Sequence, residues 1–332
     1  MRLIFFSFKH RYRQKELNNF LKSRTYGKYF ILNLGGPFRY FIAKLLTFLR
    51  IGRTISCDGK PLITEKSRGI NFWMRGTTLH IPKDLKKLNN NFVTIDNPFV
   101  KNKKIFQIYP ISIKRTQIRN DCKIIYISKI IIEANAEEKR IWEKYKVQIM
   151  EDFSLIDSKK FWEKIYIKEN NELKKYLLYK KFKLLLRFEI IKNIKIMFDK
   201  NLHLIGDDWN LLSINSSPSN YSVKQIKKLY EGNICLDLGS MLGSVSLYSR
   251  SNQIIESGGL IIQSYQRDAD EIWGDLKDKL LFKNLSDLTS LINKLLADKK
   301  YCFTLLQEIS ENFRHSDKSI EKSLDKIFNI LN

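Results

Sequence analysis

The sequence predicts an α/β protein, and three observations support that prediction. From residue 123 onward, short apolar runs rich in β-branched residues alternate with longer segments of helical periodicity. The short runs are apolar throughout, as in strands that are buried on both faces of a parallel sheet. The chain has 332 residues and is 43% hydrophobic, which is enough for a large core and suggests two domains. We therefore predict a C-terminal domain built as a doubly wound parallel sheet with helices on both faces.

Four strands and five helical segments are predicted in this C-terminal part. The strands are KIIYIS (123–128), LHLIG (202–206), ICLDLGS (234–240) and GLIIQ (259–263). The helical segments are residues 134–150, 158–200, 224–232, 249–257 and 284–330. Ligands of such sheets bind beyond the carboxyl ends of the strands. The site is therefore expected where the chain leaves Gly206, Leu238 and Gln263.

The first third of the chain also alternates between strand-like and helical sequence. Strands are predicted at residues 2–8 and 29–35, and the shorter pieces RTISC, FVTID and IFQIYPISI follow between residues 53 and 120. Residues 38–51, FRYFIAKLLTFLRI, form an apolar helix that also carries Arg39, Lys44 and Arg50. Such a helix suits either a membrane interface or ordinary packing on a sheet, and both interpretations stay open.

Positive charge is concentrated in that first third. Residues 1–120 contain 25 lysines and arginines against 5 acidic residues, a net charge of +20, whereas the whole chain carries +24. A lysine-rich genome would explain many lysines but not this asymmetry. We expect the basic part to contact an anionic partner, such as a membrane leaflet, nucleic acid or a phosphate-bearing acceptor.

Cysteine usage and hydropathy indicate the compartment. Cys57, Cys122, Cys235 and Cys302 lie far apart, without a CxxC pair or a histidine at zinc-finger spacing. This pattern is typical of a reduced, cytosolic protein rather than a disulfide or zinc scaffold. The apolar start, LIFFSF, is too short for a signal peptide, and no apolar stretch is long enough to span a membrane. We expect a soluble, cytoplasmic protein that is able to bind peripherally at the inner face of the membrane.

The segment RSNQIIESGG (250–259) contains the strongest candidate for an anion site. It reads as a helix that follows a strand and a loop of small residues, and it ends in a glycine pair before the next strand. Arg250 stands at the junction of loop and helix, where an arginine can reach a phosphate. A helix N-terminus also favours anions through its free N–H groups and its dipole.

The strand and loop before it, LDLGSMLG, resemble the loop with which class I methyltransferases bind S-adenosylmethionine. Asp237, Gly239 and Gly243 fit their pattern DxGxGxG, and Glu256 could mimic the acid that binds the ribose. Met241 replaces the middle glycine, however, and too few strand-like segments follow to complete such a sheet. A methyltransferase dependent on S-adenosylmethionine is kept as an alternative.

A longer series of landmarks runs from about Lys123 to Lys326. In order, they are the strand KIIYIS, the strand LHLIGDDW, the helix end LYEG, the strand and loop ICLDLGS, the signature Arg250-x-x-Gln253 followed by Gly258, and the closing segment LLFKNLSDLTSLINKLLAD. This ordered set resembles the nucleotide-sugar-binding half of GT-B glycosyltransferases, especially the CgeB-like group. The resemblance implies two Rossmann-like lobes that face each other across a cleft. It implies a basic acceptor domain at residues 1–120 and a nucleotide-sugar-binding domain at 121–332.

The resemblance also implies which residues bind the donor. The planar, permanently charged Arg250 suits the diphosphate, which gains charge as the leaving group. Gln253 stands where the family usually has the glutamate that binds ribose hydroxyls, so charge assistance is missing there. The implied donor-binding residues are Arg250, Gln253, Ser240, Gly239, Gly206, Trp209, Tyr230 and Gly258, with Glu256 and Asp207 as further candidates.

Transfer of this kind is implied to need no metal and no cofactor besides the nucleotide sugar, because basic side chains and a helix dipole neutralise the diphosphate. The implied acceptor is a glycan or a lipid-linked glycan. An inverting enzyme would take its general base from the N-terminal lobe, where Asp58, His80 and Asp96 are titratable candidates near loops. We assign none of them.

Two further alternatives stay open at this point. A basic nucleic-acid-binding protein would need a recognisable reader module, and the sequence shows none, so nucleic acid is not expected as a partner. A non-catalytic scaffold with a glycosyltransferase fold is compatible with Gln253 in place of the usual glutamate.

Overall fold

The computed structural model describes most of the chain, with several gaps in its first third. The described residues are 1–7, 22–49, 51–56, 70–73, 91–93, 116–165, 172–241, 243–314, 321–322 and 324–325. The chain divides into two compact units. Unit 1 comprises Met1–Asp96, Val100–Ser112 and His315–Asn332, and unit 2 comprises Asn97–Phe99 and Ile113–Arg314. The domain limits predicted above, 1–120 and 121–332, stay a prediction; the division into units differs from them mainly at the C-terminus.

The C-terminal residues belong to unit 1, and the hydrogen bonds of Tyr26 connect them to its N-terminal part. The Tyr26 hydroxyl donates to Asp325 Oδ1 at 2.7 Å and lies 2.9 Å from the carbonyl oxygen of Glu321. Residues almost 300 positions apart in the sequence are therefore held together inside unit 1.

Unit 1 contains a sheet of six described strands in the order β2-β3-β1-β4-β5-β6. The strands are β1 (Arg2–Ser7), β2 (Arg24–Tyr26), β3 (Tyr29–Asn33), β4 (Arg53–Ser56), β5 (Ile70–Trp73) and β6 (Asn91–Val93). All neighbouring strands are parallel except β2 and β3. This confirms the strands predicted at 2–8 and 29–35, and β4 and β6 fall in RTISC and FVTID; IFQIYPISI lies outside the described residues.

One helix of unit 1 is described, α1 (Pro37–Phe48), and it confirms the helix predicted at 38–51. It connects β3 to β4 and contacts β1 and β4. Ala43 is fully buried on the side that packs against the sheet, beside a core that includes Ile4, Phe5 and Ile31. The packing interpretation of this helix therefore holds for one of its faces.

Unit 2 contains a five-stranded sheet in the order β11-β10-β9-β7-β8, and every pair of neighbours is parallel. The strands are β7 (Ile124–Ile127), β8 (Leu202–Ile205), β9 (Ile234–Asp237), β10 (Leu260–Ser264) and β11 (Leu281–Phe282). All residues of β9 and β10 are buried, as their continuous apolar sequence predicts. The four predicted strands are confirmed, and β11 lies in the segment expected to close the domain.

Nine described helices surround this sheet. They are α2 (Ala136–Glu151), α3 (Lys159–Ile165), α4 (Glu172–Phe198), α5 (Val223–Tyr230), α6 (Ser249–Glu256), α7 (Ala269–Trp273), α8 (Lys277–Leu280), α9 (Leu285–Ala297) and α10 (Lys299–Arg314). Side-chain caps fix several starts: Asn135 and Glu138 form a capping box on α2, and Ser222 and Gln225 form one on α5.

The structure divides one of the predicted helical segments. Within residues 158–200 it describes α3 and α4, and 166–171 lie outside the described residues. The segment 284–330 is interrupted at Asp298, whose extended backbone ends α9. Its carboxylate then accepts a hydrogen bond from the Tyr301 N–H at 2.8 Å and caps α10. A short polar side chain that caps a new helix therefore interrupts an otherwise continuous helical pattern.

The two sheets share one topology. If the parallel strands of each unit are numbered in chain order, both sheets run 2-1-3-4-5, with β2 added at the edge of unit 1. This is a doubly wound, Rossmann-like order whose direction reverses between the first and third strands. The predicted α/β fold class with two Rossmann-like units is confirmed. In unit 2, the reversal point lies between β7 and β9.

A substitution at Gly206 tests how closely the end of β8 packs against the residue that follows β7, Ser128. The φ of Gly206 is +154°, and a Cβ at this position would overlap the carbonyl oxygen of Ser128. We expect Gly206→Ala to lower the free energy of unfolding by about 3 kcal/mol, because backbone strain and overpacking each cost about 1–3 kcal/mol. Urea denaturation measures this change.

Gly274→Ala is the matched control. Gly274 also has a positive φ, +52°, but no atom lies within 4 Å of its Cβ position. The ψ of Gly274 is −127°, outside the αL region, so Gly274→Ala should cost about 1–3 kcal/mol from backbone strain alone, without the overlap that adds to the loss at Gly206. Equal losses in the two variants would show that the contact with Ser128 has no energetic weight.

Candidate functional site

The candidate site lies at the carboxyl edge of the unit 2 sheet, next to the reversal point between β7 and β9. The chain leaves β9 at Asp237 and reaches α6 through a loop of small residues, 238–248, which we call the β9 loop; residue 242 is outside the described part. Buried small and polar side chains, including Ser240, Ser244 and Ser246, line this loop. This is the position at which doubly wound sheets bind their ligands.

A buried carboxylate organises the β9 loop. Asp237 is fully buried, and its Oδ1 accepts hydrogen bonds from the Tyr248 hydroxyl and from the Gly239 N–H at 3.2 Å. Its Oδ2 accepts from Gln263 Nε2 at 2.9 Å, and the same amide nitrogen donates to the Ser246 carbonyl oxygen at 2.7 Å. One side chain therefore links β9, β10 and both ends of the loop.

Tyr248 stays protonated in this setting. Burial raises the pKa of its hydroxyl, and the nearby Asp237 carboxylate raises that pKa further. Two positive charges, on Arg250 and Arg187, act in the opposite direction. Both guanidinium groups thus lie within electrostatic reach of the same hydroxyl, although one comes from α6 and the other from α4.

Arg187 approaches the β9 loop from α4. It is 4% exposed, and its Nη2 donates to the carbonyl oxygen of Gly239. Its Nε is buried and has no hydrogen-bond partner among the described residues. A buried donor without an acceptor costs free energy, and a ligand, an ion or a water molecule can complete it.

Arg250 approaches from the first turn of α6. The side chain is half-buried, with Cζ 5.9 Å from the centroid of the Tyr126 ring, and it interacts electrostatically with Asp237. Within the part of the chain that the structure describes, its buried Nη1 also lacks a hydrogen-bond partner. Two cationic side chains with unsatisfied N–H groups therefore converge on one loop.

Behind Arg187 lies a charge pair that neutralises itself. Lys183 and Asp157 are 5% and 4% exposed, and Lys183 Nζ lies 2.7 Å from Asp157 Oδ2. The Tyr179 hydroxyl donates to Asp157 Oδ1 at 2.8 Å, and Arg267 donates to the Asp157 carbonyl oxygen. Burial lowers the pKa of Lys183, and the Asp157 carboxylate opposes that change. Because Asp157 neutralises Lys183, the charge of Arg187 is not neutralised by this pair.

A small cavity of about 10 Å³ connects this pair with the β9 loop; among the residues that line it are Asp157, Lys183, Arg187, Leu238, Ser264 and Gln266. It has room for about one water molecule. Any larger ligand must therefore approach from the outer side of the loop.

The structure brings three of the predicted donor-binding residues together: Arg250, Gly239 and Ser240. Gln253 lies one turn further along α6 and is half-buried. Tyr230 ends α5 and is almost completely buried, and it interacts electrostatically with Arg250. These five assignments stay predictions.

Other predicted residues have structural roles elsewhere in unit 2. Trp209 is fully buried, and its indole N–H donates to the Ser128 carbonyl oxygen at 2.6 Å, next to Gly206. Gly258 lies at the opposite end of α6 from Arg250, about 12 Å along the helix, with a φ of +73° and tight packing against Thr116. Packing within unit 2 is enough to explain why these three positions hold tryptophan, glycine and glycine. Their roles in donor binding stay predictions.

The two further candidates form ion pairs. Asp207 lies 2.7 Å from Lys129 Nζ and accepts from the Ser219 N–H at 3.0 Å. The hydrogen bonds from Lys129 and Ser219 hold its pKa well below the usual range. Glu256 lies 3.3 Å from Lys227 Nζ, on the side of α6 that faces α5. The base candidates Asp58, His80 and Asp96 lie outside the described residues.

Sequence reasoning missed Lys183 and Arg187. Both occur in YKKFKLLLRFE, where lysine and arginine look like solvent-facing residues of a helix. The available signal was their spacing, because they are four residues apart and share a face with the buried Tyr179 and Ile190. Charges inside an apolar stripe indicate a buried functional or structural cluster.

The described residues contain neither a candidate metal centre nor a helix that could span a membrane. No group of three or more histidine, cysteine, aspartate or glutamate side chains is placed to hold a metal ion within the described ranges. No helix in the described part of the chain is long and apolar enough to cross a bilayer. Cys122, Cys235 and Cys302, the cysteines that the structure describes, are free thiols. Metal independence and cytoplasmic location stay predictions.

Comparison with known proteins shows similarity to solved structures. No family model and no curated protein matches this chain. The crystal structure of TarM, a glycosyltransferase, is similar to it with a TM-score of 0.45 and 13% sequence identity. The match covers 88% of this chain and 58% of the TarM chain, so this protein spans little more than half of that length. The assignment to the two-unit, doubly wound α/β class follows from the strand orders described above.

The buried pair gives a stability prediction. Lys183→Met removes the cation and leaves the Asp157 carboxylate buried, which should cost about 3–5 kcal/mol in the free energy of unfolding. Asp157→Asn added to Lys183→Met should recover part of this loss, because the amide oxygen still accepts from Tyr179 while the charge is gone. Chemical denaturation measures all variants.

Lys159→Met is the matched control. Lys159 pairs with Glu163 at 3.5 Å, but both side chains are exposed. Exposed pairs contribute less than about 1 kcal/mol. A Lys183→Met variant as stable as Lys159→Met would refute the importance of the buried pair.

Proposed function

We propose that this protein is a glycosyltransferase that transfers a sugar from a nucleotide-sugar donor to a glycan or lipid-linked acceptor. The observation that carries the proposal is the convergence of Arg187 and Arg250 on the β9 loop. Each presents a buried, unsatisfied N–H group as far as the described residues show, at the edge where doubly wound sheets bind nucleotides. An anion with several acceptor oxygens, such as a diphosphate, would satisfy both.

Two arginines beside the diphosphate would stabilise the charge that develops during sugar transfer. An acceptor oxygen forms a bond to the anomeric carbon while the bond from that carbon to the diphosphate oxygen breaks. The acceptor proton passes to a base, and the diphosphate leaves with increased negative charge. Guanidinium groups that already surround this position stabilise the charge as it develops, without reorganisation during the reaction. The N-terminus of α6 adds backbone donors on the same side.

The neighbouring residues fit the rest of a donor. Gln253 is one turn from Arg250 and can donate to or accept from ribose hydroxyls, although without the charge of the glutamate usual in this family. Gly239 and Ser240 lie at the loop and offer a close approach to a ligand. We propose that these residues, with Arg187 and Arg250, form the donor site, and that membership of the CgeB-like group follows from the same landmarks.

The proposed reaction needs no bound metal ion or other cofactor. The positive charge that a metal would supply is supplied by Arg187 and Arg250, of which only one is balanced by the buried carboxylate of Asp237. The proposed setting is the cytoplasmic side of the cell envelope, in polysaccharide biosynthesis.

The methyltransferase alternative fits the structure less well. The loop that resembles a binding site for S-adenosylmethionine follows β9, which is the third parallel strand of its unit, whereas that motif opens the methyltransferase fold. S-adenosylmethionine also carries a sulfonium cation and no phosphate, so a loop flanked by two arginines suits it poorly. A non-catalytic scaffold would keep the fold without turnover, and release of free sugar from a bound donor would exclude it.

Thermal unfolding in the presence of nucleotide sugars tests the proposal. A panel of UDP-, GDP- and ADP-linked sugars is compared with the free nucleoside diphosphates. A ligand present at 100 times its Kd stabilises the native state by about 2.7 kcal/mol, which corresponds to a rise in Tm of roughly 3 °C or more. We expect at least one base to give this shift.

Arg250→Gln should reduce the shift to about a third or less. Loss of a charged partner of the diphosphate costs about 2 kcal/mol or more, roughly 30-fold in Kd, so the same ligand concentration then stabilises by only about 0.9 kcal/mol. Arg187→Gln should act in the same direction from the other side of the loop. Arg140→Gln, which changes an exposed arginine of α2, is the matched control and should keep the full shift. Circular dichroism without ligand shows that each variant is folded. A full shift in folded Arg250→Gln would refute this donor site.

A further inference from the structure

Helix α1 of unit 1 exposes a continuous apolar stripe. Its members are large and well exposed: Phe38 (76%), Phe41 (66%), Leu45 (49%), Phe48 (83%) and, just after the helix, Leu49 (55%). At 3.6 residues per turn, these positions fall within an arc of about 100°. Ala43, which is buried, lies on the other side. A helix already packed on its sheet therefore presents a second apolar face outward.

This arrangement is not ordinary surface composition. Single exposed apolar side chains are common, but contiguous apolar patches on soluble proteins mark surfaces that bind another protein or a membrane. Three phenylalanines and two leucines on one helical face form such a patch.

Charge identifies which occupant suits the patch. Residues 17–57, which include α1, contain seven lysines and arginines and no acidic residue. Arg39 is exposed on α1 itself; the side chain of Lys44 and all of Arg50 lie outside the described part. A second copy of this chain would bring equal positive charge to the contact and be repelled. A surface of acidic phospholipid offers both acyl chains for the stripe and negative headgroups for the cations.

We propose that α1 docks on an anionic phospholipid bilayer and lies in its interface, with the phenylalanines among the acyl chains. A helix of 12 residues is about 18 Å long, which is too short to cross a hydrocarbon core of about 30 Å. Apolar stripes with aromatic residues and flanking cations are typical of helices that lie in the membrane plane. The lipid-linked acceptor of the proposed function would be met at this surface, but lipid binding itself does not depend on that function.

Sedimentation with vesicles tests the docking. The full chain is mixed with vesicles of phosphatidylcholine containing 30% phosphatidylglycerol, and with vesicles of phosphatidylcholine alone. We expect binding to the anionic vesicles at low salt, a large loss at 0.5 M NaCl and little binding to the neutral vesicles. Phe38→Ser, Phe41→Ser and Phe48→Ser combined should weaken binding at least tenfold. Arg39→Gln, Lys44→Gln and Arg50→Gln combined should weaken binding to the anionic vesicles and reduce its dependence on salt.

The matched control changes exposed apolar residues of unit 2. Val147, Ile196 and Leu211 are 69%, 73% and 81% exposed, and their triple change to serine should leave vesicle binding unaltered. Equal binding by the phenylalanine triple variant and the wild type would overturn the proposal. So would a wild-type dimer in light scattering that the phenylalanine triple variant converts to a monomer, because the stripe would then join two copies. The shift in Tm with nucleotide sugars should persist in the triple variant, so a failure of docking is distinguishable from a failure of the donor site.

Discussion

The candidate site depends on the burial of one carboxylate. Asp237 has no exposed surface at the end of β9, and a buried charge is tolerated only when it is hydrogen-bonded. Its donors come from Gly239, Tyr248 and Gln263, which belong to the β9 loop and to β10. The loop is therefore shaped by the need to satisfy that charge.

The groups around the β9 loop carry more positive than negative charge. Lys183 and Asp157 balance each other, whereas Tyr248, the hydrogen-bond partner of Asp237, lies within electrostatic reach of two guanidinium groups, those of Arg187 and Arg250. Unsatisfied buried N–H groups reduce stability by about 1–3 kcal/mol each. Natural proteins keep such groups mainly where a ligand, ion or water completes them. The donor site proposed above gives these two groups a reason to exist.

The two units share a strand order but present different surfaces. In unit 2 the notable groups are polar, buried and gathered at the carboxyl edge of the sheet. In unit 1 they are apolar and exposed, along the outer side of α1. The donor site proposed for unit 2 and the docking surface proposed for unit 1 would be two uses of the same doubly wound architecture, which illustrates that a fold does not by itself define a function.

Much of the architecture was determined by the sequence alone. Continuous apolar runs predicted β7 to β10, helical periodicity predicted α1 and α6, and the rule for carboxyl ends predicted that Arg250 would lie at the ligand edge, because these features depend on residues close in the chain. The division at Asp298 and the burial of Trp209 were decided by the tertiary structure. So was the meeting of Arg187 with Arg250, which are 63 positions apart. Local patterns specify how each segment is built, but only the packing of α4 against the end of β9 determines which distant charges share one loop.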